Sequence, residues 1–132
     1  MYENVRINLI KRPIIFEEVP TMDVKDIIEK MNRMEYHQSL LINMISTSTD
    51  DFYKLVIKRS LDKAAVDVFF QNCANLSIKL EEQKAEGFVF FHPLFEEFKS
   101  TLHPNLQAEE VIPACIRQQL FAPLMEELEK YL

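Results

Sequence analysis

Hydrophobic positions divide the chain into stretches of different period. Residues 5–10, "VRINLI", alternate Val5, Ile7 and Leu9 with Arg6 and Asn8, the period-two pattern of extended backbone. Pro13 and "IIFEEVP" follow, so residues 1–20 are expected to form an extended arm or a short strand. A lone strand leaves its backbone groups without partners, which favours an arm laid on helices or a strand paired with another chain.

From Asp23 the period lengthens to that of a helix. Val24, Ile27, Ile28, Met31, Met34, Leu41, Met44 and Ile45 form one apolar stripe. Thr21 or Asp23 offers an N-cap oxygen after Pro20. The polar run "STSTDD" (46–51) reads as a loop, with Thr49 as the expected cap of the next helix. That helix turns Phe52, Leu55 and Val56 inward. Between Asp50 and Glu86 there is neither Gly nor Pro, so one helix or two fit equally; Ser60 is the expected cap of a second.

The strongest helical segment is 61–86. Leu61, Ala65, Val68, Phe69, Leu76 and Leu80 line one face, while Val66, Phe70, Cys73 and Ala74 line another. Apolar residues on two faces predict a helix enclosed by its neighbours. Gly87 stands where a left-handed C′ residue ends such a helix. Prolines at 93, 104, 113 and 123 punctuate the remainder: a helix opens at Pro93, another is kinked or restarted at Pro113, and a last one opens at Pro123. The expected fold is all-α: a bundle of five or six unequal helices around a central one, occupying residues 21–132 after the arm.

Composition sharpens this in one respect. Gly87 is the only glycine in 132 residues, which argues against glycine-rich phosphate loops and multi-turn antiparallel sheets. The net charge of −6 is uneven: residues 1–66 carry ten basic and ten acidic side chains, residues 67–132 five and eleven. Nucleic-acid binding runs on Lys and Arg against phosphate, so no nucleic-acid partner is expected. There is no apolar run of membrane-spanning length and no signal-peptide pattern at the N-terminus, so no membrane is expected as a partner and a cytoplasmic location is. Cys73 and Cys115 lie among apolar residues and read as reduced, buried thiols.

Candidate chemistry is sparse. His37, His92, His103 and the two cysteines are all more than five positions apart, which leaves no zinc-ligand pair. No serine has a glycine nearby to build a nucleophile elbow. The paired glutamates fall in polar faces or first helical turns. No enzyme activity, cofactor or metal is expected.

Two sites remain. "EGFVFFHPLFEEF" (86–98) gathers five of the ten phenylalanines; with the preceding helix it could form a pocket of Phe69, Phe70, Phe88, Phe91, His92 and Phe95 for an apolar ligand or haem. The alternative for these residues is a packed corner between two helices. Apolar residues at the chain's edges suggest a protein interface instead: Ile7, Leu9, Ile14 and Phe16 in the arm, Met31 and Met34 in the first helix, and Leu124, Leu128 and Leu132 in the last. The expected function is that of an intracellular, non-enzymatic regulator or adaptor, homodimeric through the arm or the final helix, whose acidic half favours a basic partner surface.

Overall fold

The computed structural model describes residues 23–132. These form six α-helices: α1 (Val24–Met44), α2 (Asp51–Lys58), α3 (Lys63–Ala85), α4 (His92–Ser100), α5 (Ala108–Gln118) and α6 (Ala122–Glu129). The chain is all-α, with no strand among the described residues. The arm expected over 1–20, with Ile7, Leu9, Ile14 and Phe16, lies outside them. The chain divides into two compact units at the Met44–Ile45 boundary.

In the first unit, α1 starts as its sequence predicts. Asp23 Oδ1 accepts the backbone N–H of Asp26 at 2.8 Å, satisfying one orphan donor of the first turn. Asp26 adds an acid where the helix dipole favours one.

The second unit, Ile45–Leu132, is a five-helix bundle. α5 packs on α2 and α6, and α3 packs on α4 and α6. Its core holds Phe52, Leu80, Leu94, Phe98, Val111, Ile112, Leu124, Met125 and Leu128, all essentially inaccessible. α2 and α5 are joined at both ends. The guanidinium of Arg117 pairs with Asp51 at one end, and Arg59 pairs with Glu110 at the other. Such exposed pairs contribute little stability; what they fix is the antiparallel direction.

The cap of α2 is not local. Asp50, not Thr49, occupies the N-cap position, and its side chain makes no cap bond. The amide oxygen of Gln118, at the end of α5, accepts the N–H groups of Phe52 (2.8 Å) and Tyr53 (3.2 Å). Lys54 steadies the preceding loop, its ammonium donating to the carbonyls of Ser46 (3.2 Å) and Ser48 (3.0 Å).

Residues 50–86 make two helices. Ser60 does not cap α3; it ends α2 in the left-handed region at φ 57°. The N–H of Ser60 donates to Ile57 and that of Leu61 to Val56, the paired bonds of a Schellman end. Asp62 then caps α3, accepting from Ala65 N–H at 2.8 Å. α3 itself ends as expected: Gly87 is left-handed at φ 93°, with Gly87 N–H bonded to Lys84 and Phe88 N–H to Gln83. α5 closes the same way on Gln119, at φ 61°.

Two of these three left-handed ends therefore carry a Cβ that costs roughly 1–2 kcal/mol there. Allowing for the greater freedom glycine has in the unfolded chain, Gln119→Gly and Ser60→Gly are each expected to stabilise the bundle by about 0.5–1 kcal/mol. Gly87→Ala should destabilise it by about 1 kcal/mol. No atom lies within 4 Å of the added Cβ, so that cost is backbone strain alone. Urea titration of the three variants checks the signs.

α3 is less enclosed than its composition suggests. It buries Phe69, Cys73, Leu76 and Leu80 and packs Val66 and Phe70 against the core, while Val68 and Ile78 stay more than half exposed. α4 and α6 pack on it and Phe52 of α2 meets its Phe69 and Phe70, which leaves the side bearing Val68 and Ile78 uncovered.

Candidate protein-binding surface

α1 is amphipathic over 21 residues and none of them is buried. Val24, Ile27, Ile28, Met31, Met34, Leu40, Leu41 and Met44 all face solvent, from 42 % exposure at Leu40 to 76 % at Met44. Met31 and Met34, singled out from the sequence, sit in the middle of this strip. Long unbranched thioethers there can mould to a partner surface. An exposed apolar strip of this length, broken only by Gln38, is uncommon on a monomeric protein and marks contact surfaces.

The leucine row of the last helix is not a surface. Leu124 and Leu128 are buried in the core, at 1 % and 0 % exposure, and only Leu132 stands half in solvent. α6 packs against α3, α4 and α5, so its four-residue spacing marks the face turned to the bundle.

The phenylalanine-rich segment resolves into two aromatic groups. Phe69 stacks on Phe52 at 4.8 Å and meets Phe98 edge-on, while Phe70 contacts Phe52 and Phe121. Phe90, His92 and Phe95 instead gather around Tyr131. Its hydroxyl accepts the N–H of Phe91, at the start of α4, at 2.8 Å. Phe91 and Phe95 are buried, and Phe88 is half exposed in the turn after α3. His92 is the first residue of α4, with its Nε2 3.5 Å from Glu96 at the half-exposed surface.

Two of the six proposed pocket residues, Phe69 and Phe70, line different spaces. Phe69 lines a space of about 250 Å³ with Ala64, Ala65, Val68, Thr101, His103 and Leu106. Phe70 lines a different cleft beside Phe121. Sequence reasoning missed Tyr131 and Gln118, whose polar atoms meet backbone groups 40 and 65–66 residues away; no local pattern announces such pairs.

The remaining reactive side chains are placed for packing. Cys73 and Cys115 are free and fully buried. Burial pushes the Cys115 thiol up to about 12; burial, then the neighbouring Cys115, pushes the Cys73 thiol higher still. Thiols held protonated in this way are poor nucleophiles and metal ligands. Among the described residues no three His, Cys, Asp or Glu side chains gather as a metal site, and no helix is long and apolar enough to cross a membrane.

Comparison with known families gives one match, over residues 22–132, to a family described as "Protein of unknown function (DUF1878)". The matched segment takes in α1 as well as all five helices of the bundle, and the chain belongs to that family.

Proposed function

We propose that this member of the DUF1878 family is a non-enzymatic regulatory or adaptor protein that works by binding another protein chain through α1. The observation that carries this reading is a capped, 21-residue amphipathic helix with no buried residue. A helix of that length is only marginally stable in water by propensity alone and takes most of its stability from packing its apolar face. α1 has such a face, and covering it would remove apolar area from water at roughly 25 cal/mol per Å². Two further facts support the reading. The family match begins at residue 22, so α1 belongs to the segment that defines the family. The charge of −6 favours partners with a basic surface, and such association weakens with salt. Two free thiols suit a reducing, cytoplasmic setting.

The apolar-ligand reading has less behind it. Phe69, Phe91 and Phe95 are already buried, and His92 is half exposed beside a carboxylate rather than aimed into an apolar slot.

The test is capture from cell extract by the tagged full chain and by an Ile27→Lys/Met34→Lys variant. The variant is expected to lose the wild-type chain's bound proteins, its own untagged copies included, and to keep the urea unfolding transition of the bundle. Equal capture by the two proteins would sink the proposal.

A further inference from the structure

One row of α1 positions recurs by three and four without a slip, 24, 27, 31, 34, 38 and 41, and is apolar at every one but Gln38. With Val24 as position a, the a residues are Val24, Met31 and Gln38, and the d residues are Ile27, Met34 and Leu41. Five of the six are apolar, and those five are all exposed, from 44 % at Ile27 to 71 % at Val24. The helix carries this pattern along its whole 21 residues, about three heptads, the length at which a coiled-coil seam becomes recognisable. A strict seven-residue repeat keeps one seam turned to a partner helix that supercoils with it.

Two features beside and within the seam say what that partner helix is. The g position before the second d–a step is Lys30, and the e position five residues later is Glu35. When two copies of α1 lie parallel and in register, Lys30 of each faces Glu35 of the other, giving two opposite-charge contacts. An antiparallel pair brings g to g and e to e, which sets Lys30 beside His37 or Glu35 beside a second Glu35 or an isoleucine, with no attraction. A parallel pair slipped by one heptad puts Lys30 against Ile28 or Ile42.

Gln38 selects the same arrangement. It is the one polar residue of the seam. In register it meets Gln38 of the second copy, and the two amides can donate to and accept from each other. Any slip sets it against an apolar residue with its hydrogen bonds unmade. A lone polar a residue fixes register in this way at some cost in stability.

We propose that the apolar face of α1 is covered by α1 of a second copy of this chain, in a parallel, in-register, two-stranded coiled coil. This rests on the reading of α1 as the binding surface and names its occupant. The Lys30–Glu35 contacts set orientation, Gln38 sets register, and Val24, Ile27, Met31, Met34 and Leu41 form the dry seam.

The test is sedimentation equilibrium of the full chain and a charge-exchange set. Wild type is expected at twice the 15.6 kDa chain mass at the upper end of the micromolar range, dissociating on dilution. Lys30→Glu and Glu35→Lys each place like charges at both contacts and should weaken association about tenfold. The double variant Lys30→Glu/Glu35→Lys, and an equimolar mixture of the two single variants, should both recover it. A merely structural role for either residue would not produce that recovery. Met34→Cys should form a disulfide-linked dimer on mild oxidation, because a slip or an antiparallel pairing sets residue 34 opposite some other residue, and only the parallel, in-register pair sets it opposite its own copy.

A wild-type chain that stays monomeric throughout overturns the inference, as does a dimer indifferent to the charge exchange. If the monomer still captures other proteins and loses them on Ile27→Lys/Met34→Lys, the protein-binding reading stands while the second copy is excluded. If neither assembly nor capture responds to that variant, both fall.

Discussion

Phe52→Ala is expected to destabilise the bundle by about 3–5 kcal/mol, the usual cost of emptying a fully packed phenylalanine site. Phe52 is completely buried in the first turn of α2, stacked on Phe69 of α3 and in contact with Phe70. Its own N–H is one of the two that Gln118 of α5 accepts. Truncation therefore opens a cavity where three helices meet, and α2 is too short to move in and fill it. Since domains of this size have only about 5–15 kcal/mol in total, the loss is a large share of all the stability there is. Urea unfolding followed by circular dichroism measures it. Phe88→Ala, at a half-exposed turn position, is the control and should cost no more than about 0.5 kcal/mol. Equal effects at the two positions would contradict the core described above.

The second large effect is alkaline. In the native bundle burial pushes the Cys115 thiol up to about 12 and raises the Cys73 thiol as well, both well above the 9.0 of an exposed thiol. The native state thus holds two protons that the unfolded chain gives up. Stability linked to these thiols is fully present below about pH 8.5 and falls as pH rises above the unfolded-state value. The limiting slope is about 1.4 kcal/mol per pH unit for each thiol, so by pH 10.5 the two together should have removed about 4 kcal/mol. Urea midpoints between pH 8 and 10.5 trace the decline. Cys73→Ala and Cys115→Ala will each start from a lower stability, but each should reduce the slope by up to about 1.4 kcal/mol per pH unit, the share of one thiol. A slope unchanged in both variants would show that the thiols are not the groups responsible.

What could be read from the sequence, and what could not, divides by distance along the chain. The stripe of α1, the cap at Asp23, the left-handed Gly87 and the proline-opened helices α4 and α6 are all set by residues within a turn of one another, and each was legible. Ser60 was misread because a serine just before a new apolar stripe looks like a helix start. Its actual role as a left-handed end depends on Leu61 N–H reaching back to Val56. The cap of α2 was invisible because its acceptor, Gln118, belongs to another helix. Leu124 and Leu128 showed the right period, but period alone does not say whether a stripe faces its own bundle or a partner. In α3 both apolar faces meet the core, Phe69, Leu76 and Leu80 on one and Cys73, Val66 and Phe70 on the other, and only Val68 of the residues on them is left in solvent. The same ambiguity is why α1 could be recognised as amphipathic from its sequence, while its exposure could not.

The dependence of α2 on α5 also constrains the order in which the bundle assembles. An eight-residue helix lies well below the length that persists alone, and the groups that hold α2 at each end come from Gln118, Arg117 and Glu110. Those contacts close a chain segment of roughly fifty to sixty-five residues, an entropic cost met before any of them is rewarded. During synthesis α1 and α3 are complete before Gln118 has been added, whereas α2 has no acceptor for its first turn until then. Its ordering is therefore expected to follow the arrival of α5 rather than its own place near the start of the bundle.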